Sequence, residues 1–192
     1  TLRQAETLKT PKPGITTPEA KLMEEARKYK TAEEFVKSKG VPVYHGTNSE
    51  VFTEFMSGKG GGSPGTYLKA HYLTDDQKAA KMFGENIIEA RVSPKKPVII
   101  DYQKSGLTYG EIQEELDAVA KGFIPSEDLL GAVERGSLEN WDVAILKNTD
   151  YEGSKPFTEY IVKNKNVLKT KSQLTDIWNK AHAKPTMAET PQ

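Results

Sequence analysis

Apolar positions first recur at helical spacing near the start of the chain. Leu22, Met23, Ala26 and Tyr29 fall on one face of a 3.6-residue repeat. Thr17 followed by Pro18 supplies an N-cap with proline at the first helical position. Thr31 and Glu34 have capping-box spacing ahead of a second short helix, which Gly40 is placed to end. Residues 1–15 are polar and broken by Pro11, Pro13 and Gly14, and predict a mobile leader. Residues 1–40 therefore read as a leader followed by a helical arm.

From residue 41 the pattern shortens to strand-like runs. Val43 and Tyr44 lead into a His45-Gly46-Thr47 turn, and residues 57–65 are Gly-rich enough to predict a flexible loop. Residues 67–73 read as a strand. A helix over 75–83 follows, capped by Thr74 or Asp75. Residues 87–92 and 98–101 read as strands across a proline-bounded turn. Helices are expected over 108–121 and 125–135, strands over 143–146, 160–162 and 167–168, and a last helix over 172–182. Helices and strands mix without βαβ alternation, so the fold class is α+β, with one domain over 41–183 and a flexible tail at 184–192.

Composition narrows the function. The 192 residues carry 27 Lys and Arg against 27 Asp and Glu. That balance lacks the cation surplus of a nucleic-acid binder, so a nucleic-acid partner is not supported. Lys163, Lys165, Lys169 and Lys171 cluster, but with the spacing of a solvated face. The chain has no cysteine, which rules out disulfides, thiolate metal sites and a cysteine nucleophile and suits a reducing compartment. No apolar run approaches the ~20 residues of a bilayer span, so no membrane partner is expected, and no signal peptide is evident. Beginning at Thr1, the chain is expected to be a fragment or a processed product.

Three familiar motifs fail on inspection. The Gly58-Lys59 pair is followed by Gly60 rather than the Ser or Thr of a phosphate-binding loop. Gly61-Gly62-Ser63-Pro64-Gly65 has the form of a serine-hydrolase elbow, and Asp142 or Asp150 and then His182 follow in the right order. Yet Pro64 has no N–H for an oxyanion, the segment does not join strand to helix, and His182 lies near the chain end. His45, His71 and His182 show no paired ligand spacing, so no metal is expected.

The informative residues lie in three segments: Val43-Tyr44-His45-Gly46-Thr47, then Tyr72-Leu73-Thr74-Asp75-Asp76 with Ala79-Ala80 and Phe83 behind it, then Thr158-Glu159-Tyr160-Ile161-Val162. Singly, each has an ordinary structural explanation. In this order they resemble the His-Tyr-Glu class of ADP-ribosyltransferases, which includes diphtheria-type toxins and poly(ADP-ribose) polymerases. The likeness is closest to the compact domains of phage and mobile-element polyproteins and covers roughly residues 41–170. It implies a split antiparallel sheet with flanking helices that clasps NAD⁺. It also implies a mono-ADP-ribosyltransferase that moves ADP-ribose to a macromolecular acceptor, most simply a protein, without metal. Plain NAD⁺ hydrolysis and a non-catalytic protein-binding domain of the same fold are the alternatives. A cytoplasmic location is expected, that of the host if the chain comes from a phage or a toxin.

The resemblance assigns roles. His45, Tyr72 and Glu159 are the catalytic set, and His45, Gly46, Thr47, Tyr72 and Phe83 bind NAD⁺. Tyr72 and Phe83, eleven positions apart, match the two aromatics that stack on the flat, cationic nicotinamide. Gly46 lets backbone approach the nicotinamide amide, and His45 is matched to a hydroxyl of the adenosine ribose. Glu159 is matched to the 2′-hydroxyl of the other ribose, where a carboxylate stabilises a developing oxocarbenium ion. Two positions depart from the pattern. Ala80 replaces the serine of the polymerases. Phe157 replaces the Glu or Gln of arginine- and asparagine-modifying enzymes, which argues against a simple arginine-specific transferase. Tyr44 and Tyr160 read as wall or core, and His71 should face away from Tyr72.

Overall fold

In the computed structural model the residues described are 17–56, 68–150 and 154–183. The leader, the Gly-rich segment at 57–65 with its hydrolase-like motif, and the tail at 184–192 lie outside them. Pro18 opens α1 (Pro18–Ala26), and the Thr17 side chain accepts from the Ala20 amide. In α2 (Ala32–Lys37) Thr31 accepts from the Glu34 amide, while Glu34 reaches one residue past the cap, to the Lys30 amide at 3.1 Å. Gly40, just beyond, takes a φ of 111°, which a side chain would resist. Both helices pack on the chain's last helix, α7 (Lys171–His182). Ala26, Phe35 and Val36 share one buried cluster with Leu174, Ile177 and Ala181. Trp178 Nε1 donates to the Tyr29 carbonyl across that contact.

Between these ends the chain builds one sheet. Its strands are β1 (Val41–Thr47), β2 (His71–Thr74), β3 (Asn86–Val92), β4 (Pro97–Asp101), β5 (Val133–Arg135), β6 (Val143–Thr149), β7 (Phe157–Val162) and β8 (Leu168–Thr170), in the order β5-β4-β6-β7-β2-β1-β3-β8. β1 pairs with β3 from Val41↔Val92 to Thr47↔Asn86, but with β2 only at Tyr44↔Thr74. The sheet is thus divided into two halves hinged on a single ladder pair, which is the split the resemblance implied. The α+β class is confirmed. One pairing differs from a purely antiparallel sheet, because β4 and β6 run parallel. The crossover between them holds α4 (Tyr102–Ser105), α5 (Tyr109–Ala120) and α6 (Glu127–Ala132), and only such a long connection can bring two strands back in parallel.

Other boundaries also moved. The helix expected over 125–135 stops at Ala132, because the β-branched Val133 pairs with Ile100 and starts edge strand β5. Of the strand expected over 67–73, residue 67 lies outside the described residues, and the rest is β only from His71. Helix α3 (Gln77–Lys81) is capped by Asp76 rather than Thr74 or Asp75. Those two side chains are used elsewhere: Thr74 Oγ1 accepts from the Asp76 amide, and Asp75 accepts from the Thr158 amide on β7.

Each face of the sheet carries its own core. Leu68, Ile100, Ile112, Leu116, Ala144, Leu146 and Ile161 form one cluster, under α5 and α6. Val43, Phe55, Leu73, Ile88, Val143, Tyr160 and Leu168 form the other. Among the described residues no helix is long and apolar enough to cross a membrane. Leu116 is wholly buried beneath α5. Leu116→Ala is expected to cost roughly 2–5 kcal/mol in a urea titration. A change under about 1 kcal/mol would mean that α5 is not part of this core.

Candidate active site

Alternation along the strands decides which side chains can meet. Tyr44 sits opposite Thr74, and Thr74 opposite Glu159, so the three form a row across β1, β2 and β7 on one face. Tyr72, two residues before Thr74, shares that face. Its diagonal neighbour across the ladder is Glu159. The sheet therefore brings the side chains of Tyr72 and Glu159 together.

Helix α5 closes over them. Thr108 and Glu111 form a complete capping box, and the first residue of the helix, Tyr109, points into the core. Its hydroxyl donates to Glu159 Oε1 at 2.8 Å. The other oxygen, Oε2, is buried with no hydrogen-bond partner. Glu159 is only 5% exposed. Burial pushes its carboxyl up to about 7, and the bond from Tyr109 pulls the other way. Burial and the nearby Glu159 charge raise both phenols, Tyr72 and Tyr109, so both stay protonated at physiological pH. The Tyr72 hydroxyl donates to the Leu68 carbonyl at 3.2 Å.

His45 belongs to the site in another way. Being next to Tyr44 on β1, it projects from the opposite side of the strand, where its ring lies 5.9 Å from Phe52 and 5.7 Å from Phe55 between centroids. Its Nδ1 lies 2.8 Å from the Tyr72 carbonyl oxygen. A carbonyl can only accept, so Nδ1 carries the proton and a neutral ring keeps Nε2 as an acceptor. Burial among the phenylalanines lowers the imidazole below its usual range, which favours that neutral form. His45 thus contacts Tyr72 through the backbone, at the seam where the two sheet halves part. His71 faces away from the Tyr72 side, against Phe55, as alternation requires.

Gly46 follows on the Tyr44 side of the strand. A Cβ there would sit 1.8 Å from the Ala80 carbonyl oxygen, so glycine is what lets α3 seat on β1. Position 80 consequently meets Gly46 with its backbone, and Ala80 is wholly buried. Thr47 Oγ1 accepts from the Ser49 amide in the turn after β1. Phe83 is 42% exposed just past α3, and its amide donates to the Ala80 carbonyl. Beside the row of Tyr44 and Thr74 opens a cleft of about 520 Å³, lined by Tyr44, Asp75, Lys147, Asn148, Phe157 and Thr158 among others.

The rejected motifs have structural occupations. Asp142 accepts from the Lys95 and Lys96 amides. His182 is stacked on Trp178, with its Nδ1 against the Trp178 carbonyl. Among the described residues no group of three or more His, Asp or Glu could hold a metal ion. Two polar residues of the site escaped the sequence reading, Tyr109 and Gln113. They had a signal: with Ile112 and Leu116 they make an i, i+3, i+4, i+7 stripe, and two hydrogen-bonding side chains on a buried stripe require partners.

Residues 37–176 match the family described as ADP-ribosyltransferase in polyvalent proteins. The match spans well over half of the chain and contains every site residue above, and the chain belongs to that family. No curated protein and no solved structure matches it.

The buried carboxyl leaves a thermodynamic signature. Glu159 titrates near 4.5 in an unfolded chain and near 7 here, so the native state prefers it neutral. Its favourable contribution is complete below about pH 4.5 and is lost as pH rises through 7. Glu159→Gln, which is isosteric and always neutral, is therefore expected to exceed wild type in stability at pH 8. The gain is on the order of 3 kcal/mol at most, and it should vanish near pH 4.5. Urea titrations at the two pH values measure the difference. A gain of the same size at both would show that Glu159 is not a buried charge.

Proposed function

We propose that this domain is a mono-ADP-ribosyltransferase that uses NAD⁺ as substrate, breaks the bond between nicotinamide and ribose, and passes ADP-ribose to a protein. The observation that carries the reading is the Glu159 carboxylate. It is buried, one oxygen is held by Tyr109, and the other lacks a partner. A buried acceptor with no donor is costly unless a ligand supplies one. A ribose hydroxyl is such a donor. Charge that builds on the sugar as the bond breaks would face a carboxylate in a poorly screened site, where its attraction is strongest.

The surrounding residues suit the same substrate. The Tyr72 ring offers a face to the flat nicotinamide cation, and Phe83 beyond α3 is the second aromatic. Gly46 lets the amide of nicotinamide approach bare backbone. Neutral His45 offers Nε2 as an acceptor for a hydroxyl of the other ribose. A carboxylate, aromatic rings and a backbone edge together suit a sugar and an aromatic cation. The polar cleft lined by Tyr44, Phe157 and Thr158 borders the strand that carries Glu159, and is where an acceptor side chain would approach.

Two sets of variants test this. Glu159→Gln is expected to keep NAD⁺ affinity within a few-fold and to cut nicotinamide release by at least about 10²-fold. Unchanged release would remove Glu159 from the chemistry. By calorimetry, Tyr72→Ala should weaken NAD⁺ binding by roughly 10-fold or more, and by more than Tyr44→Ala does. Equal losses, or the reverse order, would mean that Tyr72 is not the stacking wall.

A further inference from the structure

Tyr109 is absent from the three segments on which the family resemblance rests, yet it makes the one side-chain hydrogen bond to Glu159 found among the described residues. Several features show that it is held there rigidly. The capping box fixes the first turn of α5, and Ile112 and Leu116, on the same stripe, are completely buried. Gln113, one turn along and 1% exposed, has its amide beside the same phenol. There it opposes the upward push of burial on Tyr109, although its nitrogen has no completed hydrogen bond.

We propose that Tyr109 is the positioning residue of the catalytic carboxylate: its hydroxyl occupies Oε1 of Glu159, so that Oε2 alone is left to receive the substrate hydroxyl. This rests on the reading of Glu159 given under Proposed function. A carboxylate has two equivalent oxygens and rotates about its last torsion, so an untethered Glu159 would present either one at a variable angle. Tying down one oxygen removes that freedom before substrate arrives, and misplacement of a reacting group is costly in rate.

The same bond bears on protonation. Glu159 faces Leu146 on β6, Thr74 and Tyr72 on β2, and Tyr109 on α5; Gln113 lies beside the Tyr109 phenol and Asp117 further along that helix. The titratable members of this set are two phenols and a carboxylate, and none is a cation that could favour ionised Glu159. Burial pushes its carboxyl up, and the Tyr109 hydroxyl is what holds it down. Without that hydroxyl Glu159 should remain protonated at neutral pH, when it could no longer accept from the substrate.

The experiment compares the full chain with Tyr109→Phe, Glu159→Gln and Tyr102→Phe, the last a tyrosine of the same core cluster that does not bond Glu159. Nicotinamide release from NAD⁺ is followed between pH 5.5 and 9, and the Glu159 carboxyl is titrated by carbon NMR, assigned by its loss in Glu159→Gln. Tyr109→Phe should lower kcat at pH 7 by about tenfold or more, with KM within about threefold. The acid limb of its rate profile and the carboxyl titration should both move up by about one pH unit, with partial recovery above pH 8.5. Tyr102→Phe should move neither. A loss in Tyr109→Phe that is equal at every pH, with an unmoved carboxyl, would reduce Tyr109 to a packing role and overturn the proposal. Faster release would overturn it too, since Tyr109 would then be an obstruction to substrate. If wild type releases no nicotinamide, the underlying reading fails separately, and an unmoved carboxyl titration would still show that Tyr109 does not govern Glu159.

Discussion

The Glu159 carboxylate is the constraint around which the middle of the molecule is organised. Placing an ionisable group on a central strand and closing it off from water is unfavourable, and proteins tolerate it where the group has a use. Here the cost is shared among three elements. β7 sets the direction of the side chain, β2 places Tyr72 beside it, and α5 delivers the Tyr109 hydroxyl from 50 residues away. What remains uncompensated at this residue is a single oxygen atom, the one that receives a ribose hydroxyl in the function proposed above. The stability of the domain and its chemistry thus pull against each other at one residue.

The sheet explains why such a site can exist in a small domain. Every other pair of neighbouring strands shares at least two ladder positions, whereas β1 and β2 share one, at Tyr44 and Thr74. Beyond that pair the strands part, and the His45 ring spans the gap to the Tyr72 carbonyl. A sheet whose strands part partway along their length leaves backbone edges on both sides of the seam. Gly46 and the close seat of α3 are the local conditions for that opening, because a side chain there would lift the helix from the strand.

Much of this was legible in the residues themselves. The caps at Thr17 and Thr31, the strand runs on either side of the proline turn, and the placing of Tyr72 and His71 on opposite faces all follow from local pattern. The three motif segments were readable as a set although none was readable alone. What could not be read depends on distant pairing. The parallel pairing of β4 with β6 arises from a crossover, and Val133 leaves a helix because a strand edge at Ile100 is waiting for it. Tyr109 looked like an ordinary first-turn residue, since nothing near it in the chain shows that its hydroxyl will meet Glu159. His45 was grouped with Tyr72 and Glu159 in one catalytic set. The fold ties it to Tyr72 through the main chain, a contact that leaves no side-chain signature in the sequence.

Transfer of ADP-ribose from NAD⁺ by way of the buried Glu159 carboxylate, as proposed above, is open to direct measurement. The most direct measurement is to incubate the protein in cell lysate with NAD⁺ labelled in its adenine half, counting nicotinamide released and label attached to protein. The account predicts that the two rise together, close to one for one. Nicotinamide release without labelled protein would make the domain a hydrolase. No release, with no rise in melting temperature on adding NAD⁺, would contradict the account, because a ligand that binds only the native state must stabilise it.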